Sequence, residues 1–366
     1  MTRKEPDDYF ALAQRDEQHH YWRWAKRLLT LCFFVAMAAL LFMLMDNLNW
    51  LEVKQALHAY QRETLVMGLA VALVSYIAFS SYDLLGRAYT DHHLPARQIL
   101  PVAFVCYAFN LNLSSWIGGV AMRYRLYSRL GLRVSTITRV LSLSVFTNSL
   151  GYIIVAGFIF SAGWVKLPAS WAINTGALHI IGAVMLLLAA GYLLLCQFSS
   201  RRSWYWSSHE ITLPSFRLAL AQAGLSTLNW LLMAWLIFIL LPDAVSYSAV
   251  LGILLISGIA GMIAQIPAGL GVLEAVFIGI LQHQLPTASI VAALIAYRVI
   301  YFLLPLMVAC VVYVVLEGKV WHWRRRARRS DNFQRDSFQE VPEQDVPGVI
   351  VIRKQTDHHF HTLDKH

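Results

Sequence analysis

Apolar residues run along this chain in long blocks rather than in alternation with polar ones. The blocks are Leu28–Met45, Thr64–Tyr82, Ile99–Met122, Val140–Val165, Ala177–Phe198, Leu218–Leu241, Ala249–Gln265, Val272–Leu281 and Ser289–Leu316. A helix needs about 20 residues to cross about 30 Å of hydrocarbon, and most blocks approach or exceed that length. In lipid each unpaired backbone amide costs several kcal/mol, so a spanning element is a helix or a closed barrel. The missing two-residue alternation argues against the barrel. The pattern predicts an all-α integral membrane protein.

Charge decides how the blocks cross. Lys and Arg collect on the cytoplasmic side of membrane segments. Arg23, Lys26 and Arg27 precede the first block, and Lys319, Arg324, Arg325, Arg326, Arg328 and Arg329 follow the last, which predicts cytoplasmic termini. If every block crosses once, the loop RYRLYSRLGLRVSTITR falls outside with five arginines. The conflict disappears if Ile99–Met122 is a re-entrant hairpin that enters and leaves from the cytoplasm. Its centre, NLNLSSWIGG from Asn110 to Gly119, is polar and rich in helix breakers. Ala249–Leu281 is interrupted in the same way by QIPAGLG, from Gln265 to Gly271. Non-helical backbone at membrane depth is tolerated where protein or a wet cavity surrounds it. With six full spans and two re-entrant hairpins, cytoplasmic flanks and loops carry 19 Lys and Arg against 3 outside. Trp50, Trp164 and Trp171 then mark the outer interface, and Trp22, Trp24, Trp204, Trp206, Trp321 and Trp323 the inner one.

Each half then reads span, span, hairpin, span, with the hairpins entering from opposite sides. This is an inverted repeat, an architecture of transporters whose substrates bind near the midplane. The expected organisation is a polar cytoplasmic N-terminus over 1–22, a first membrane repeat over 23–176, a second over 177–318, and a basic, then disordered cytoplasmic tail over 319–366.

Composition sharpens this. The chain is 58% hydrophobic and 14% charged, well short of the roughly 25% charged residues of soluble domains. The net charge of +9 lies beside membrane segments, where anionic headgroups, not nucleic acid, are the nearer partner. Cys32, Cys106, Cys196 and Cys310 sit inside apolar blocks without a CxxC partner and read as small core residues. His358, His359 and His361 read as part of a solvated tail rather than a metal site.

Ionisable groups at membrane depth are costly, so each is a candidate for function. Glu274 opens a half-helix, where it complements the helix dipole or serves a site. Arg298, in AYRVIYFLLP between Tyr297 and Tyr301, lies too deep to snorkel easily. A guanidinium there is able to hold phosphate with two parallel hydrogen bonds. Glu274 has Arg298 or an arginine of the first hairpin as its expected counter-ion. Arg123, Arg125, Arg129, Arg133 and Arg139 form either a topogenic cluster or a basic vestibule for lipid heads. Asn110 and Asn112 are expected to line a polar cavity, with Gly118, Gly119, Pro267, Gly269 and Gly271 shaping the hairpins. Asp83 and Arg87 are spaced to pair on one helix face. There is no Walker A sequence, HExxH or GxSxG, so no enzyme, cofactor or metal is expected.

CYAFNLNLSSWIGGVAMRYRLYSRLG, IPAGLGVLEAVF and AYRVIYFLLP together resemble the lysylphosphatidylglycerol-synthase transmembrane family, over about residues 20–320. In that family's multiple peptide resistance factor this region acts as a lipid flippase, beside a soluble domain that makes the lipid. The present chain ends in a short polar tail, so the resemblance implies a bacterial inner-membrane phospholipid translocator without its own synthase. Phosphatidylglycerol and cardiolipin are the expected substrates. The resemblance places Arg123, Glu274 and Arg298 inside matched motifs. Two other readings stay open: a lipid-binding scaffold for a lipid-synthesis enzyme, and a membrane-embedded lipid-modifying enzyme. A homodimer is also compatible with the sequence.

Overall fold

The computed structural model describes residues 55, 60–113, 119–164, 175–199, 203–206, 209–242, 244–264 and 271–318. The expected first span, the polar N-terminus, the tail, Gly118, Pro267 and Gly269 lie outside the described residues. The contacts below belong to the compact unit that ends at Val315; of the unit Leu316–His366, the described residues 316–318 are helical.

The helices are α1 (Arg62–Ser80), α2 (Tyr82–Thr90), α3 (Ala96–Asn112), α4 (Met122–Arg129), α5 (Val134–Ser161) and α6 (Thr175–Phe198), then α7 (Phe216–Leu240), α8 (Tyr247–Ala264), α9 (Val272–Leu281) and α10 (Thr287–Arg298). Helix α10 runs through a π-turn, Val299–Leu303, into a continuous helix that ends at Gly318. Six stretches among the described residues are long and apolar enough to cross a membrane: Arg62–Thr90, Val134–Ser161, Gly176–Phe198, Phe216–Leu240, Tyr247–Ala264 and Thr287–Gly318. The chain is a multi-pass membrane protein.

Two expectations change. A short antiparallel ribbon, β1 (Ser203–Trp206) with β2 (His209–Thr212), stands where a plain loop was expected in an all-α fold. Its first strand, SWYW, is aromatic, and such residues favour extended backbone. Helix α8, expected as a half-length hairpin arm, has 18 residues, about 27 Å at 1.5 Å per residue and close to the hydrocarbon thickness. Helix α9 has 10 residues and α4 has 8, so neither crosses alone.

Small residues bring the helices together where lipid supplies no hydrophobic drive. On α5, a Cβ added to Gly151 would stand 2.4 Å from Ser226 Cβ of α7. On α6, one added to Gly182 would stand 2.5 Å from the backbone nitrogen of Ser161. Buried polar side chains then bridge the helices. Ser75 Oγ of α1 donates to Asn229 Oδ1 of α7 at 2.7 Å. Gln222 Nε2 of α7 donates to Thr147 Oγ1 of α5 at 2.8 Å, and Tyr192 of α6 donates to Gln222 Oε1 at 2.9 Å.

The π-turn has a local cause. Pro305 has no N–H to offer the carbonyl of Tyr301, and its ring crowds that carbonyl. The Leu304 N–H bonds instead to Val299 O, five residues back. The displaced carbonyls find partners on other helices: Tyr76 donates to Tyr301 O at 3.0 Å, and Asn112 Nδ2 to Phe302 O at 3.2 Å. The Tyr301 hydroxyl lies 2.8 Å from Ser75 Oγ. Because Ser75 spends its one proton on Asn229, Tyr301 donates to Ser75.

Candidate functional site

The ion pairs Asp83–Arg123 and Glu274–Arg298 both stand at membrane helices, and their surroundings differ. The first joins α2 to α4. Arg123 Nη2 meets Asp83 Oδ1 at 2.6 Å and its Nε meets Oδ2 at 3.2 Å. Tyr127, Tyr107 and Ser144 donate to the same carboxylate at 2.6, 3.3 and 2.9 Å. The Arg123 guanidinium also lies 4.8 Å from the Tyr107 ring centre. Asp83 is 0% exposed and Arg123 3%. A buried ion pair persists when its remaining hydrogen-bonding capacity is filled, and five donors fill this carboxylate. The local Asp83–Arg87 pairing expected from spacing gives way to a partner 40 residues away. Arg123, expected to meet substrate, lies instead inside a latch that ties α2, α3, α4 and α5 together.

The second pair joins α9 to α10. Gly271 takes the left-handed conformation (φ 81°) that lets the chain turn into α9. Its N–H then bonds to Glu274 Oε2 at 3.0 Å, so the carboxylate caps the helix start and complements its dipole. Arg298 Nη2 reaches the same oxygen at 2.9 Å, and its Nε bonds to Glu274 Oε1. This is a two-pronged guanidinium–carboxylate pair. Glu274 is 24% exposed and Arg298 11%, so this pair is accessible where the first is sealed.

The surroundings of Arg298 are aromatic. Its Cζ lies 5.8 Å from the Phe302 ring centre, and the buried rings of Tyr297 and Tyr301 stack at 5.5 Å and 11°. Arg298 stands about 16 Å along its helix from Thr287 at 1.5 Å per residue, near half of a 30 Å core. The π-turn begins at the next residue, and such turns often occur at functional sites.

The other named residues divide. Asn112 is fully buried and holds the π-turn. Asn110 is half-buried beside Gly119, where an added Cβ would meet its Oδ1 at 2.5 Å. Arg125, half-buried, sits 6.0 Å from the Tyr313 ring centre. The structure thus brings Glu274, Arg298, Tyr297, Tyr301 and Asn112 to one region. Arg123 belongs to the other pair.

The fold and the site define the class as multi-pass helical membrane proteins with an ion pair set among their helices. The family profile described as "Lysylphosphatidylglycerol synthase TM region" matches residues 27–309, and the chain belongs to that family. Among individual relatives, the chain is 47% identical over 304 residues to the inner membrane protein YbhN of Escherichia coli (strain K12), covering 83% of this chain and 96% of that protein. It is 20% identical over 289 residues to the phosphatidylglycerol lysyltransferase of Staphylococcus haemolyticus (strain JCSC1435), covering 76% of this chain but 32% of that enzyme. The corresponding enzyme of Bacillus subtilis (strain 168) gives 24% over 279 residues, 71% of this chain and 30% of the enzyme.

Proposed function

We propose that the chain translocates phospholipid between the leaflets of a bacterial inner membrane. The observation that carries this reading is the Glu274–Arg298 pair, a charged site at membrane depth that keeps a quarter of its carboxylate side chain exposed. A lone charge at the centre of a membrane helix costs about 2.5–3.5 kcal/mol by insertion measurements. A pair serving only architecture would be expected to lie sealed, as Asp83–Arg123 does. In this reading the phosphate of an anionic lipid such as phosphatidylglycerol or cardiolipin takes Glu274's place on the guanidinium. Glu274 returns when the lipid leaves, so binding stays reversible. The headgroup moves along the protein while the acyl tails stay in lipid, and the chain alters no bond of its substrate.

The packing supports an inverted repeat with two hairpins. Asn110 and Gly119, nine residues apart, lie side by side, as the arms of a hairpin must. Helix α1 packs on α7, α3 leans on α1 as α8 leans on α7, α3 meets the π-turn, and α8 meets α5. The polar bridges follow the same exchange: Ser75 to Tyr301, and Gln222 to Thr147. The likeness to an inner membrane protein of Escherichia coli supports the inner membrane, and the charge distribution supports cytoplasmic termini.

Purified protein in vesicles carrying lipid with a fluorescent acyl chain tests the reading. Added dithionite destroys dye in the outer leaflet only. Translocation makes nearly all the dye accessible, whereas a plateau equal to that of protein-free vesicles overturns the reading.

A further inference from the structure

Asn112 is the last residue of α3, and it is fully buried. Its Nδ2 donates to Ala108 O at 2.8 Å and to Phe302 O at 3.2 Å. An amide nitrogen carries two hydrogens, so both are spent and the orientation of the amide is set. Its Oδ1 faces away from those two carbonyls. Among the described residues this buried oxygen has no hydrogen-bond partner. A buried acceptor left unsatisfied costs free energy, and native proteins rarely keep one without a use.

Phe302 connects this oxygen to the ion pair. Its carbonyl rests on Asn112 Nδ2, and its ring lies 5.8 Å from Arg298 Cζ. The cation and the unfilled acceptor therefore flank one residue. We propose that Asn112 Oδ1 is a headgroup subsite, accepting a hydrogen bond from the lipid whose phosphate sits at Arg298. The lipid class follows from the chemistry: a phospholipid whose headgroup donates, through a glycerol hydroxyl or a protonated amine. A quaternary headgroup has no such donor and leaves the oxygen unfilled. This inference rests on the translocator reading and names its substrate class.

The test is a headgroup series in the same vesicle assay, with one fluorescent acyl chain throughout. The lipids are phosphatidylglycerol, phosphatidylethanolamine, its N,N-dimethyl form and phosphatidylcholine. The first two separate hydroxyl from ammonium as the preferred donor. The dimethyl form keeps one N–H, so a hydrogen-bonding subsite predicts that transport falls about tenfold only at the final methyl group. Asn112→Ser keeps a hydroxyl able to donate to Ala108 O but removes the amide oxygen, and it is expected to bring the ratio across that last step close to one. Equal transport of all four lipids, or an even decline with each methyl, overturns the subsite and leaves translocation standing. Retained selectivity in a folded Asn112→Ser protein also overturns it. Transport of none of the four above protein-free vesicles overturns both. The wild-type series decides the matter if the variant does not fold.

Discussion

Replacing Arg123 with methionine tests whether the sealed Asp83–Arg123 pair is architectural. The substitution keeps most of the side-chain length and removes the charge. Asp83 would then stay 0% exposed with no cation, retaining the hydroxyls of Tyr107, Tyr127 and Ser144. Breaking a buried pair from one side costs about 3–5 kcal/mol. Three surviving donors place this case near the lower end, about 3 kcal/mol. At about 2 °C per kcal/mol for a chain of this size, the midpoint of thermal unfolding should fall by about 6 °C. Fluorescence-detected size-exclusion of heated, detergent-solubilised protein measures it. The double variant Asp83→Asn with Arg123→Met leaves no unpaired charge and should recover more than half of the loss. An unchanged midpoint for Arg123→Met, or a double variant less stable than the single one, would refute the latch.

Glu274→Gln should lower the midpoint by less than Arg123→Met does, because this carboxylate is partly exposed and the glutamine oxygen still accepts from Arg298, while lipid translocation in vesicles falls sharply. Arg298→Ala should abolish translocation at unchanged membrane yield; normal transport by either variant would remove the pair from the mechanism. Gly151→Leu should destabilise by about 1–3 kcal/mol through overpacking against Ser226, and Ser226→Gly in the same chain should restore part of the monodisperse peak. Reporter fusions to the tail after residue 331 should show a cytoplasmic C-terminus, with a periplasmic reporter silent there.

Much of this molecule was legible before any coordinates. Run length alone located all six long helices, although Ala249–Gln265 read as a half-length hairpin arm, because backbone satisfaction in lipid permits few alternatives. Glu274 and Arg298 stood out as charges within apolar sequence, and their pairing was one of two partners expected. The Asp83–Arg123 latch was hidden because local spacing favoured Arg87, and nothing in the sequence ranks a partner 40 residues distant above one four residues away. The buried tyrosines 107 and 127 that complete it resemble interface aromatics until the helices are assembled. The ribbon was missed because SWYW also suits an aromatic belt. Pro305 was the available sign of a break after Arg298, since it withholds a donor from Tyr301.

That break sets the phase of everything after it. Up to Tyr301, the large buried apolar and aromatic side chains are Ile290, Leu294, Tyr297, Ile300 and Tyr301. Continued at helical spacing, this stripe would turn Leu304 and Val308 inward. Yet those two are 37% and 53% exposed, and the sealed positions are Leu306, Ala309 and Tyr313. The stripe has slipped by about one residue, or roughly 100° of rotation. Straightening the turn into α-helix without deleting a residue would therefore roll the rest of the helix, carrying Met307, Val311 and Val314 off the lipid and Tyr313 into it. A relative whose last helix lacks the turn must carry a one-residue gap here to keep its greasy face outward. That makes the gap a sequence-level marker for which members of the family share this geometry around the arginine.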